Sequence, residues 1–244
     1  HSPMKHLIAF GLTLLWAQAT LATDRVVGPS SLYPSIGEAL LASSDGDRIL
    51  VEPGIYVEQL SISKSITILP NQEGMRPMID GPIIIANADG KRVVILGIRC
   101  TGYVQKIGSY TARTEIRIVD SRIDRAIDLR DPFIHVEMLR DTISCQIYLS
   151  SGIVIGNEIP GCQASGEGVA AVIVQGPTNM PDELWVIGNS LGATAPGLSV
   201  QIASDLRFRV ENNYVRGLFG YPVVSVQRPG STPVPALCTV LNNT

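Results

Sequence analysis

One short phrase, repeated along the chain, limits what this sequence can fold into. It reads apolar, any, apolar, apolar, a turn pair ending in Asn or a similar residue, any, apolar. Gly152-Ile153-Val154-Ile155-Gly156-Asn157-Glu158-Ile159 is one copy, and others lie at 116–123, 136–143, 184–191 and 208–215. A truncated copy closes the chain at 238–244, and looser ones lie at 66–71 and 93–100. Between the copies runs a strictly alternating segment: Ile127-Asp128-Leu129-Arg130, Ile147-Tyr148-Leu149-Ser150, Val172-Ile173-Val174-Gln175, Val200-Gln201-Ile202-Ala203 and Val224-Ser225-Val226-Gln227. Alternation means a strand with one buried and one outward face. Each repeat therefore holds an alternating strand, a second strand, a two-residue turn and a short third strand. Repeats of about 16 to 32 residues with bends in register describe the wall of a parallel β-helix. The expected fold is all-β: a right-handed, single-stranded parallel β-helix over residues 23–244. Roughly nine rungs, each about 4.8 Å thick, would give a rod near 43 Å long.

Composition agrees with thin, stacked layers. Hydrophobic residues make up 45% of the chain but aromatics only 5%, so the interior must be built from Val, Ile, Leu and Ala. A β-sandwich would need hairpin turns of the Asn-Gly kind, which are scarce, and a doubly wound fold would need helical stretches between strands. The net charge of −3, without a Lys/Arg run, argues against nucleic acid as a partner.

Residues 1–22 read as a secretory signal, with His1 to Pro3 as a possible tag remnant. Lys5 and His6 precede a largely apolar stretch from Leu7 to Trp16, and cleavage would follow Ala19 or Ala22. The alternative, a membrane anchor, needs a longer apolar run. The expected location is therefore secreted or periplasmic, with no membrane attachment after cleavage. In such an oxidising compartment, Cys145 and Cys162, which follow the short strand at the same corner of consecutive repeats, are placed to form a disulfide. Cys100 and Cys238 occupy apolar repeat positions and read as small core residues. His135 is the one histidine outside residues 1–22, so no metal site and no cofactor are expected.

The column Asn71, Asn157, Asn189, Asn213 and Asn243 reads as structural. Asn tolerates the left-handed backbone of a tight bend, and its amide bonds to the rung above. Ser35 and Glu38, spaced as a capping box ahead of Ile36, Ala39 and Leu40, predict a short helix that covers the N-terminal end of the rod. The C-terminal end stops inside a repeat with no cap visible, which makes it an unprotected edge, a homo-oligomer contact or a truncation.

The opening also resembles a known family. Tyr33-Pro34-Ser35-Ile36-Gly37-Glu38-Ala39-Leu40, then Ile49-Leu50-Val51-Glu52-Pro53-Gly54-Ile55-Tyr56, then Ile62-Ser63-Lys64-Ser65-Ile66 are similar to the first rungs of the pectin lyase-like superfamily, as in pectin methylesterases and NosD-like proteins. The resemblance implies a β-helix and a carbohydrate ligand on the outward face of the alternating strands.

Outward positions fall into two expected columns. One is Ser61, Ile84, Asp128, Tyr148, Ile173, Gln201 and Ser225, and the other is Ser63, Ala86, Arg130, Ser150, Gln175, Ala203 and Gln227; segment 101–114 has no evident place. Glycan chemistry on this fold needs paired carboxylates, or a basic group beside acids, converging from adjacent rungs. The one charged stretch is 128–135, so Asp128, Arg130, Asp131 and His135 are the candidate catalytic residues, acting on an acidic sugar as a lyase, esterase or epimerase. The competing account of the same stretch is a solvated charge cluster. The polygalacturonase Asp-Asp and Gly-His-Gly signatures are absent. The favoured expectation is a polymer-binding protein without a complete catalytic site. Tyr103, Tyr110, Tyr148, Phe219 and Tyr221 would serve as stacking rings, and Gln175, Gln201 and Gln227 as hydrogen-bonding groups. Trp185 beside Ile153 marks a small outward apolar patch on the second strand.

Overall fold

A computed structural model describes residues 22–160, 172–176, 183–193, 198–202, 207–217, 224–227, 238–241 and 243–244. Among these the chain is a parallel β-solenoid whose strands all pair in parallel with the coil before and the coil after. Three sheets form the walls. The long sheet has ten strands, including Thr114–Val119, Ile134–Leu139 and Ser151–Ile155. The short sheet has eight, among them Arg122–Ile123 and Thr142–Ile143, and the alternating sheet has eight, among them Ile127–Leu129 and Ile147–Leu149. The described coils make about seven turns, fewer than the nine rungs expected. Asp24–Val27 and Cys238–Leu241 each add a strand to the long sheet alone, so residues at both ends of the chain contribute no full turn.

Register carries the interior. Ile79, Cys100 and Ile123 stack in the short sheet, and Ile95, Ile118, Met138 and Val154 in the long sheet, all fully buried. Branched and unbranched aliphatic side chains repeat their own shapes one coil apart, so the core fills without large rings. The segment that sequence reasoning left unplaced supplies the missing alternating strand, Val104–Ile107, between Ile83–Ala86 and Ile127–Leu129. Its pattern is disguised by Lys106, which shares the register of buried Ile85. That lysine is accommodated because its Nζ donates to Asp131 Oδ2 at 2.8 Å and to the Gly108 carbonyl at 3.1 Å.

The predicted helix forms as Ile36–Ala42 and buries Ile36, Ala39 and Leu40 against the first coil. Ser35 caps it, its Oγ accepting the Glu38 N–H at 3.2 Å. The carboxylate that completes the cap is Glu58, which accepts the Ile36 and Gly37 N–H groups at 2.9 and 2.8 Å. Lys64 Nζ donates to the carbonyls of Leu40, Leu41 and Ser43 at the other end. An anion at the N-terminus and a cation at the C-terminus match the helix dipole.

The asparagine ladder is present. Asn157, Asn189 and Asn213 each pass their backbone N–H and Nδ2 to Oδ1 of the next residue in the column, ending at Asn243, at 2.8–3.0 Å. Two details differ from the expectation. The left-handed residue is the one before the ladder position: Gly97, Asp120, Arg140, Gly156, Gly188 and Asn212 have φ between 51° and 66°. The ladder asparagines are therefore selected for their amides, not for a left-handed backbone. Asn71 does not stack; it is exposed where the chain departs into the loop at 71–77.

Candidate functional site

The outward face of the alternating sheet is the surface to which sequence reasoning pointed. Register gives its first column as Ser61, Ile84, Gln105, Asp128, Tyr148, Ile173, Ser199 and Ser225. Gln201 belongs to the second column, directly between Gln175 and Gln227. It was expected two positions away because its strand, Leu198–Ile202, starts earlier than the Val200 copy suggests. Three glutamines thus occupy one register position in successive coils. Ala203, expected in that column, lies outside the described residues, as do Phe219, Tyr221 and Cys162.

The charged part of this face is a compact cluster. Arg130 grips Asp128 with Nε on Oδ1 at 2.8 Å and Nη2 on Oδ2, and its guanidinium lies 4.7 Å from the centre of the Tyr148 ring one coil on. Burial works to raise the Asp128 carboxyl, but the bonds and charge of Arg130 hold it below the usual range. Asp128 in turn keeps the guanidinium more strongly protonated. Tyr148 Oη donates to Gln146 Oε1 at 3.3 Å. The ring is thereby held at its hydroxyl by Gln146 and over its face by the guanidinium.

The other two catalytic candidates stand elsewhere. Asp131 is buried at the corner where the chain leaves the alternating sheet; besides Lys106, it accepts the Phe133 N–H through Oδ1 at 3.0 Å. His135 lies on the outward side of the long sheet, in register with Glu115 and Ser151. Asp128 and Arg130 are brought together with Tyr148, while Asp131 and His135 are not on that face. Among the described outward positions of the alternating sheet, Asp128 is the one acid, and Arg130 already neutralises it.

Of the expected stacking rings, Tyr103 is 42% exposed at the head of its strand. Tyr110 is 4% exposed and is a wall residue: its Oη donates to the Ile85 carbonyl at 3.0 Å, and burial pushes its phenol upward. Lys106 caps it, 5.7 Å from the ring centre, so the ring closes the corner instead of facing solvent.

The long sheet has a different character. One outward column carries an ion pair, Arg117 on Glu137 at 3.1 Å, and runs on through Ile153, Trp185 and Arg209. The expected Trp185–Ile153 pair is therefore adjacent in register, with Arg209 6.0 Å from the indole. The next outward column is nearly all aliphatic: Leu50, Leu69, Leu96, Val119, Leu139, Ile155 and Ile187. Where the 71–77 loop leans over it, Leu69, Pro70, Met75 and Leu96 floor a groove of about 470 Å³ rimmed by Glu73, Arg76 and Asp120.

Among the described residues no three His, Cys, Asp or Glu side chains converge as a metal site. No helix there is long and apolar enough to cross a membrane. No family model, no curated protein and no solved structure matches this chain.

Proposed function

We propose that this chain is an exported, pectin lyase-like β-helix protein that binds a polysaccharide or another surface polymer along its alternating sheet, without catalysis. The observation that carries this reading is the outward cluster in which Arg130, locked by Asp128, stacks on Tyr148, on the sheet that also aligns Gln175, Gln201 and Gln227. A coil spacing of about 4.8 Å is close to the length of one sugar unit in an extended glycan, so successive coils can repeat one contact along a polymer. Aromatic rings, guanidinium and amide groups are the side chains that pack on and hydrogen-bond to sugar rings. Glycosidic hydrolysis needs a second carboxyl group a few ångströms from the first, and Asp128 has no such neighbour among the described outward residues of its sheet.

Calorimetric titration against neutral and acidic polysaccharides tests this, paired with an assay for newly released chain ends. Binding that falls at least tenfold in Arg130→Ala and Tyr148→Ala, with no product, is the expected result. Product release that disappears in Asp128→Asn would move the protein to the enzyme reading. Light scattering decides whether copies associate end to end.

The Cys145–Cys162 bond belongs to the same proposal. Thr142 and Glu158 pair in register, so the short strands that precede Cys145 and Cys162 in sequence are stacked on each other. Thiol titration of the unreduced exported protein should give two thiols rather than four. Sequencing of its N-terminus should begin at Thr20 or Thr23.

A further inference from the structure

Asp141 occupies the ladder position of its coil and differs from the asparagines by one atom. Its Oδ1 accepts the Ser121 N–H at 2.7 Å, and its own N–H donates to Asn157 Oδ1 at 2.8 Å, the bonds that each asparagine makes along the column. In the amide coils the remaining side-chain atom is Nδ2, a donor, and it faces two acceptors. One is Oδ1 of the next ladder residue. The other is the strand carbonyl three places ahead of the ladder position in the previous coil: Met138 for Asn157, Val154 for Asn189, Val186 for Asn213 and Val210 for Asn243. In the Asp141 coil that atom is Oδ2. The acceptors at the corresponding places are Asn157 Oδ1 and, by register, the Ile118 carbonyl. Oδ2 is buried and has no hydrogen-bond partner. An ionised carboxylate only accepts, and here it would set an anionic oxygen against two further acceptors. A protonated carboxyl donates and takes the place of the amide.

We propose that Asp141 holds a proton in the folded protein, serving as an amide substitute in the ladder, and that its loss as pH rises loosens the middle coils of the rod. The surroundings agree. Burial pushes this carboxyl up to about 7, against the Ser121 and Leu139 backbone contacts that favour the anion. The charged groups on the stacked turns are Asp120 and Arg140, which pair with each other at 2.8 and 2.7 Å, and Arg76, whose guanidinium binds the Asp120 carbonyl. Arg122 and Glu158, on the flanking short strands, are exposed. None of these supplies a donor to Oδ2. The device does not depend on what the alternating sheet binds.

Carbon-13 detection of the Asp141 carboxyl in the intact protein reads the proton directly, with assignment by comparison to Asp141→Asn. A midpoint near neutrality is expected, and one in the ordinary aspartate range, about 4, would overturn the proposal. Thermal unfolding gives the second reading. The wild-type Tm should fall between pH 5 and pH 8, while Asp141→Asn should hold its Tm across that range and exceed wild type at pH 8. Parallel profiles for the two proteins would also overturn it. Should Asp141→Asn fail to fold, Asp141→Ser, which copies the Ser121 coil, takes its place in both measurements.

Discussion

The two halves of the turn column solve the same backbone problem with different chemistry. From Asn157 to Asn243 each coil uses an amide; at Asn189 its oxygen accepts two bonds from the Asn157 N–H and Nδ2, and its own Nδ2 donates twice. From Asn157 back towards the N-terminus the residues are Asp141, Ser121 and Ile98. Ser121 Oγ still accepts the Ile98 N–H at 3.2 Å and donates to its own strand at Val119, but Ile98 brings no polar side chain. The turn thus tolerates a carboxyl, a hydroxyl or an aliphatic side chain, because the backbone bonds between coils persist in every case: Arg140 to Ile155, Asp120 to Leu139 and Gly97 to Val119, all at 2.9–3.1 Å. What an amide adds is complete use of buried donors and acceptors.

That comparison can be broken most forcefully at its centre. Asn189→Ala removes the side-chain bonds to Asn213 and the Val154 carbonyl and those from the Asn157 N–H and Nδ2. With about 1 kcal/mol per lost bond and a similar or larger penalty for each buried group left bare, a loss of about 4 kcal/mol in urea unfolding is expected. The next largest effect is pH-dependent and confined to one half. Asp141 has its folded pKa raised to about 7 from 3.8, so the folded state keeps a proton that the unfolded chain has released. Its stabilising contribution is whole below pH 4, declines as pH rises and is gone above pH 7. Local opening free energies from hydrogen exchange at the Ser121 and Asp141 amides should drop by roughly 1 kcal/mol per pH unit through that window. Those at Asn189 and Asn213 should not. A smaller effect tests the left-handed turn residues. Arg140 stands at φ 56° where the next two coils have glycine, so Arg140→Gly should relieve about 1 kcal/mol of backbone strain. It also loses the exposed pair with Asp120, worth less than that. A slight net rise in Tm is expected.

The alternating and long sheets differ as instructively. The first presents hydroxyl, amide and aromatic groups with one locked ion pair, and the second presents a mixed column, with the Arg117–Glu137 pair and Trp185, beside an aliphatic one. Both were visible in outline, since alternation assigns each residue a face. Misplacement arose where the pattern was broken for a tertiary reason. Lys106 hid a strand because its charge is neutralised by Asp131, 25 residues further on. Tyr110 looked like a loop ring, yet its hydroxyl reaches a carbonyl 25 residues back and the ring closes a corner. Gln201 shifted column because strand starts vary from coil to coil.

The sequence alone determined the solenoid, the helix that covers its N-terminal end, the stacked asparagines and the outward face on which Asp128, Arg130 and Tyr148 meet. These follow from short-range periodicity, which fixes side-chain direction residue by residue. Only the tertiary structure decided which charges cancel, which rings are buried and that Asp141 sits among acceptors. Those outcomes depend on neighbours one coil away, and the distance along the chain to such a neighbour changes from one coil to the next.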